Sequence, residues 1–360
     1  MKQLLPDLDR WQREGEPIAL ATLVRVRGAA PRLPGARLFM TRSGRMAGSV
    51  SGGCVESDVF ERAMQVLDSG EAVVATYGIS DELGFEIGLS CGGSIDVLIE
   101  PFATDEAWTA LRGAVEEQRA VAIAIGLAPA SILGRKLVLL GDGGTVGSVD
   151  PGVDEEVAAA ARGLLLEGGT RVVTPAGREE ETVVFVEALP PPPHLLLVGA
   201  THIAMPLSRM AKELGYRVSV IDARSVFATQ ERFPEADAVI REWPDKALDR
   251  IPLDAYSYVV ILTHDPKFDL PTLTRALRSP ARYIGAMGSR GTHAQRTREL
   301  REQGFSDADI ARIRAPIGLN IGGRAPEEIA VAIVAELVAA RYGRDERAPG
   351  GQDAAMPAGR

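Results

Sequence analysis

The chain has 360 residues, 46% hydrophobic and 25% charged, with a net charge of −9 at pH 7; that length suffices for two domains with separate cores. The acidic balance argues against general nucleic-acid binding, which leaves a basic footprint, and no apolar run approaches the ~20 residues that span a bilayer. The opening "MKQLLPDLDRWQREGEP" has acids where a signal peptide needs an apolar core, and two cysteines make no disulfide framework, so a cytoplasmic location is expected.

Strand-like runs come first, "IALATLV" (18–24) and "ARLFMT" (36–41), followed by "GRMAGSV" (44–50). "VESDVFERAMQVLDSG" (55–70) has Val55, Val59, Ala63 and Val66 at helical spacing and a terminal glycine. "AVVATYG" (72–78) and "SIDVLIEP" (94–101) read as strands. The same order then recurs: "VAIAIGL" (121–127), "KLVLLG" (136–141), "GGTVGSV" (143–149), a helical stretch at 153–169, "RVVTPAG" (171–177) and "ETVVFVEA" (181–188). This predicts an α+β domain with an internal repeat over residues 1–189. The copies differ at two loops. "VSGGCVES" in copy one faces "VDPGVDEE" in copy two, and "LSCGGSID" faces "GREEETVV". A loop needed only for folding should persist in both copies, so function is expected in copy one.

Pro190 to Pro193 cannot continue a helix or a central strand and predict a stiff linker. Beyond it, "HLLLVG", "RVSVID" (217–222), "ADAVI" (236–240), "YSYVVILT" (256–263) and "ARYIGAM" (281–287) alternate with helical stretches, including 270–278, 291–303 and 326–341. Alternation of this kind predicts a Rossmann-like, doubly wound parallel sheet over 194–342. Residues 343–360 lack apolar periodicity and read as a disordered tail.

Cys54 directly precedes a helix start, where the dipole and unpaired N–H groups favour a thiolate, making it nucleophilic or metal-binding. Gly52 and Gly53, beside Ser51, remove side-chain bulk, so a ligand is expected to reach bare main-chain amides. Cys91 has similar access through Gly92 and Gly93. The plainer alternative makes each cysteine a small buried hydrophobe. Zinc fits poorly, because there is no Cys-x-x-Cys pair and all four histidines lie beyond the linker. Six arginines fall between 25 and 45, and Arg32, in "RGAAPRLPGAR", is the candidate for an anion; a solvated strand face is the alternative.

In the second domain "VGATHIA" (198–204) follows a strand and opens a helix, as a dinucleotide-binding turn does, with Gly199 first and His202 close behind. Asp222 ends the next strand, where a ribose-binding acid is expected. Thr201, however, holds the middle position, where glycine normally admits the pyrophosphate. NAD(P) or another nucleotide is therefore a weaker expectation than the fold. His264 lies at the C-terminal end of a strand, a place for proton transfer, anion binding or a structural turn. Gly288, Ser289 and Arg290 form another glycine-rich turn before a helix.

Taken in order, "RGAAPRLPGAR", "GSVSGGCVE", "CGGSIDVLIEP", "YIGAMGSR" and "PIGLNIGGRAPEEIA" resemble the xanthine dehydrogenase accessory proteins of the XdhC/CoxI type, over about residues 18–340. The resemblance implies an accessory chaperone, not itself an enzyme, that binds molybdenum cofactor, protects it, aids its sulfuration and delivers it to a molybdenum hydroxylase. It implies partnership with the apo-subunit of that hydroxylase and a homodimer; a cysteine desulfurase is a further candidate partner, while charge and hydropathy leave nucleic acid and membrane unexpected. Carried over by position, Cys54 and Cys91 are the candidate ligands to the metal centre, with Gly52, Gly53, Gly92 and Gly93 as the cofactor loops. The rival readings are an NAD(P)-dependent oxidoreductase, with Asp222 on ribose and His264 as acid/base, and a scaffold protein in which the cysteine loops are structural.

Overall fold

The structure, a computed structural model, describes residues 1–78, 93–176 and 181–343. It divides into two compact units, Met1–Pro191 and Pro192–Arg360.

The first unit begins with α1 (Leu5–Arg13), which buries Leu5, Leu8 and Trp11. Copy one follows as β1 (Ile18–Arg27), β2 (Arg37–Thr41), β3 (Met46–Gly48), α2 (Glu56–Ser69), β4 (Val73–Tyr77) and β5 (Ser94–Pro101). Next comes α3 (Glu106–Glu116), started by the Asp105 carboxylate accepting from Trp108 N–H. Copy two follows as β6 (Val121–Ala128), β7 (Lys136–Leu140), β8 (Thr145–Gly147), α4 (Asp154–Leu165), β9 (Gly169–Val173) and β10 (Val183–Leu189). The sheet orders are β3-β2-β1-β5-β4 and β8-β7-β6-β10-β9. Position for position they are the same, and every ladder in them is antiparallel. The internal repeat is therefore real at the level of topology.

Alternation along the strands sends one apolar set to each face. One face of the first sheet packs on α2 through Leu23, Val59, Ala63 and Val97. The matching face of the second packs on α4 through Leu139, Val157, Ala161 and Val186. The other faces share a core with α1 and α3, built around Phe39, Trp108 and Phe185. Phe39, Phe102 and Trp108 meet edge to face there, with centroids 4.9–6.3 Å apart.

Two ion pairs, one buried and one partly so, join the copies crosswise. Arg37 at the start of β2 pairs with Glu187 on β10, and Lys136 at the start of β7 pairs with Glu100 on β5 at 2.6 Å. Glu100 lies opposite Leu20 and Glu187 opposite Ile123, the third residues of β1 and β6, so each pair is the image of the other. Such reciprocity is the mark of an isologous interface; here it lies within one chain.

The second unit is a six-stranded, wholly parallel sheet of order β13-β12-β11-β14-β15-β16. In chain order its elements are β11 (His194–Val198), α5 (Ala204–Glu213), β12 (Arg217–Ile221), β13 (Ala238–Ile240), α6 (Pro244–Arg250), β14 (Ser257–Ile261), α7 (Pro266–Leu277), β15 (Tyr283–Ala286), α8 (Arg290–Glu302), α9 (Asp307–Ile310), β16 (Ile313–Arg314) and α10 (Pro326–Arg341). Both faces are covered, by α5 and α10 on one side and by α6, α7 and α8 on the other, which is why every residue of β11 and β14 is buried. The chain order reverses between β11 and β14, and a crevice opens at the strand ends there. Among the described residues no helix is long and apolar enough to cross a membrane. The tail from 344 onward lies outside the described residues.

Candidate functional site

Strand pairing determines which loops of copy one are neighbours. Thr22 pairs with Arg37, Arg27 with Ser94, Leu38 with Gly48 and Tyr77 with Ile95. The ends of β1, β3 and β4 and the beginnings of β2 and β5 therefore lie at one end of the sheet. The connections leaving that end carry Arg32, Cys54 and Cys91. Cys91 and Gly92 lie outside the described residues; Gly93 is described.

All three connections are longer than their counterparts in copy two. Fourteen residues separate Thr22 from Arg37, against ten between Ile125 and Lys136. From Ser49 to Glu56 is seven positions, and from Ser148 to Asp154 is six. Twenty-five residues lie between Val73 and Ile99, against fourteen between Arg171 and Val186.

Local contacts draw these loops together. A Cβ built on Gly52 would lie 3.5 Å from that of Pro31, and one on Gly93 would lie 2.2 Å from the Ala29 carbonyl oxygen. Residues 29–31 thus run between the Cys54 loop and the described flank of the Cys91 loop. Gly93 must be glycine, because no side chain fits against that carbonyl. Gly52 and Gly53 adopt φ of 81° and 114°, which L side chains seldom reach, and both are exposed. Cys54 is half-buried at the edge of the copy-one core.

The expectation of bare amides is corrected here. Glu56, the first residue of α2, turns its carboxylate back into the loop. Its Oε1 accepts from the N–H groups of Val50 at 3.2 Å, Ser51 at 2.9 Å and Gly52 at 3.1 Å. Its Oε2 accepts from Gly53 N–H at 2.8 Å and from the Ser51 hydroxyl, while the Ser49 hydroxyl donates to Oε1 at 2.7 Å. Desolvation pushes this carboxyl up. The Ser51 and Ser49 hydroxyls and the Ser51 N–H more than offset that and hold it at about 2. The arrangement also persists in copy two, where Asp154 accepts from the Ser148 hydroxyl at 2.5 Å and from the N–H groups of Val149 and Asp150 at 2.9 and 3.1 Å. The carboxylate-filled loop is therefore common scaffold. What copy one adds is one residue and a thiol.

The arginine cluster resolves in the same way. Arg27 forms a two-pronged pair with Asp96 at 2.9 and 3.1 Å, with Arg25 3.7 Å from the same carboxylate. Arg37 is buried against Glu187, Arg42 pairs with Asp68, and Arg45 with Glu14 and Glu16. Arg32 differs from them: it is exposed, beside the 81% exposed Leu33, and forms no ion pair with any described residue.

In the parallel-sheet unit the crevice is lined by Thr201, Arg224, Leu262, Thr263, His264, Asp265, Pro266 and Phe268 and has a volume of about 510 Å³. Asp222 does not face it as a ribose acceptor. Its side chain is wholly buried and accepts from Ala200 N–H at 2.8 Å and from Arg224 Nε and Nη2 at 2.9 and 2.7 Å. Desolvation raises this carboxyl, but those donors hold it below the usual carboxylate range. The turn after Gly199 is closed internally as well, Thr201 N–H donating to the Gly199 carbonyl at 2.9 Å. His264 is exposed at the crevice, whereas His202 is exposed in the turn and is not among the lining residues. Ser289 caps α8 by accepting from Thr292 N–H; Gly288 before it and the exposed Arg290 follow β15. Arg224 was missed by sequence reasoning. Its only signal is its place two residues after the acid that closes β12.

Family models match part of each unit. The family model described as "XdhC and CoxI family" matches residues 11–78, and that described as "XdhC Rossmann domain" matches 195–337. The chain belongs to the XdhC/CoxI family. It is 29% identical over 338 residues to a Bacillus subtilis protein described as a probable component of xanthine dehydrogenase, covering 93% of this chain and 96% of that protein. It is 25% identical over 332 residues to the molybdenum cofactor insertion chaperone PaoD of Escherichia coli, covering 92% and 86%. A crystal structure described as a xanthine dehydrogenase from Bacillus halodurans matches with a TM-score of 0.65 and 26% identity, covering 96% of this chain and 97% of that one.

For an XdhC/CoxI chain the contrast between copies decides where to look. Among the described residues no group of three or more His, Cys, Asp or Glu side chains is arranged to hold a metal ion. The described chemistry of the loop end is one half-buried thiol, one exposed guanidinium outside any described ion pair and two exposed glycines. These suit a soft, sulfur-loving centre joined to an anionic group.

Proposed function

We propose that this XdhC/CoxI protein is a chaperone for molybdenum cofactor, with the three-loop end of copy one as the cargo site. The observation that carries the reading is that the three connections elongated relative to copy two leave one end of one sheet, two of them bearing the only cysteines in the chain. Bound cargo supplies a molybdenum centre rich in sulfur and a pterin phosphate. Cys54, together with Cys91, would hold the metal end, and Arg32 the phosphate, because the loop amides already donate to Glu56. Gly52 and Gly53 leave room for a flat pterin against the backbone. In this role the protein shields the cofactor, aids its sulfuration and passes it to the apo-subunit of a molybdenum hydroxylase. A cysteine desulfurase as sulfur source and a homodimeric assembly belong to the same proposal.

Loading the purified full chain with molybdenum cofactor and measuring retained molybdenum after gel filtration tests it. Cys54→Ala should lower retention at least about tenfold, since losing even an outer-shell partner of a metal ligand costs about 10- to 100-fold, and Cys54→Ala/Cys91→Ala should abolish it. Retention unchanged in the double variant sinks the site.

A further inference from the structure

The end of β12 carries a charge arrangement that cargo binding in the first unit does not use. In a dinucleotide-binding sheet, an acid at this place accepts from the ribose hydroxyls. Here Asp222 is wholly buried beneath Arg224, so the crevice meets the guanidinium and not the carboxylate. Arg224 is half-exposed and fixed in place. Nε and Nη2 are held by Asp222, the guanidinium carbon lies 4.7 Å from the centre of the Phe227 ring and 5.5 Å from that of Phe268, and Nη1 donates to no described residue. A second guanidinium stands at the same turn: Arg232 donates to the carbonyl oxygens of Ala200 at 3.0 Å and Phe227 at 2.9 Å. The opposing charge is Asp265, across the crevice, where it caps α7 by accepting from Lys267 N–H at 3.0 Å.

Two further features point to a ligand. Thr201 lines the crevice, and its hydroxyl oxygen is buried with no hydrogen-bond partner. Phe227 and Trp243 are 40% and 42% exposed, and the Trp243 ring packs 5.0 Å from Phe268 on the crevice wall. Partly exposed aromatic rings beside a fixed guanidinium suit a planar base.

We infer that the crevice binds a nucleotide and that Arg224 selects a phosphate on its ribose, so that the 2′-phosphate of NADP+ is preferred to the free diol of NAD+. The buried Asp222 serves as the positioning residue for that guanidinium. Every residue in the inference belongs to the second unit, so it stands or falls separately from the cargo site.

Titration of the full chain by calorimetry, with Trp243 emission as a second readout, compares NADP+ with NAD+. One charge-assisted hydrogen bond predicts that NADP+ binds about 10- to 100-fold more tightly. Arg224→Gln keeps donors for Asp222 while removing the charge and should bring the ratio close to one. Trp243→Leu should weaken both nucleotides alike. Circular dichroism and Tm establish that each variant is folded. Equal or tighter binding of NAD+, a ratio that survives in a folded R224Q, or binding of neither nucleotide at millimolar concentration overturns the inference.

Discussion

The two copies in the first unit share a sheet order, a carboxylate that gathers the loop before the main helix, and reciprocal ion pairs across one core. They differ where connections leave one end of the sheet. Copy two has Ile132 buried in its short first loop, whereas copy one carries Arg32 and Leu33 outward. Copy two passes from Ser148 to Asp154 without the residue that makes room for Gly53 and Cys54. The lesson is that features shared by both copies report on folding, and features confined to one report on what the fold is for.

The largest expected effect tests the shared part. Glu187→Ala leaves the Arg37 guanidinium buried and uncompensated and should cost about 3–5 kcal/mol in urea unfolding,. Glu100→Ala should cost less, because its partner Lys136 is 20% exposed and reaches water. Equal losses would show that the two crosswise pairs are not graded by burial.

Acid titration comes next. The buried His194 imidazole is held down at about 4, by desolvation first and by Arg217 second. Its folded pKa lies below the unfolded value, so the unfolded chain binds the extra proton and stability falls as pH drops from about 6.5 toward 4. The loss is about 3 kcal/mol. Glu56, also depressed, contributes above its ordinary pKa, and that contribution disappears only as pH falls from about 4.5 toward 2. Acid unfolding should therefore weaken the parallel-sheet unit before the cysteine loop. Hydrogen exchange followed by mass spectrometry resolves the two, and reversed order would refute the assignment.

Glu56→Ala and Asp154→Ala sharpen the comparison itself. Each removes the acceptor for several loop donors and should cost about 1–3 kcal/mol,. Only Glu56→Ala should also reduce molybdenum retention, since it alone positions a thiol. The smallest effect is expected for Arg32→Ala, within about 0.5 kcal/mol of the parent in stability, but with weaker cargo retention.

Much of this was legible in order and spacing. Strands of both copies, α2, α4 and the parallel alternation follow from periodicities of 2 and 3.6 that burial imposes on each element. The helix α1 escaped notice because it is short and begins with an acidic, proline-bearing turn, although it buries Trp11. The two-residue β16 carries no pattern of its own. At the sites, Arg32 could be singled out by its loop setting. That its neighbours Arg25, Arg27, Arg37, Arg42 and Arg45 serve ion pairs could not, since their partners lie up to 150 residues away. Asp222 lies where β12 ends, but that its carboxylate accepts from Ala200 N–H and Arg224 was not legible from its neighbours.

By itself, then, the sequence determined the repeated α+β unit, the parallel sheet after the prolines and the two glycine-flanked cysteines, because local periodicity and backbone freedom are properties of neighbouring residues. Only the tertiary structure decided that Glu56 fills the loop amides, that Arg224 covers Asp222, and that three lengthened connections leave one end of one sheet. A charge or an amide is satisfied by whichever partner the fold brings within about 3 Å, and that distance is not written along the chain.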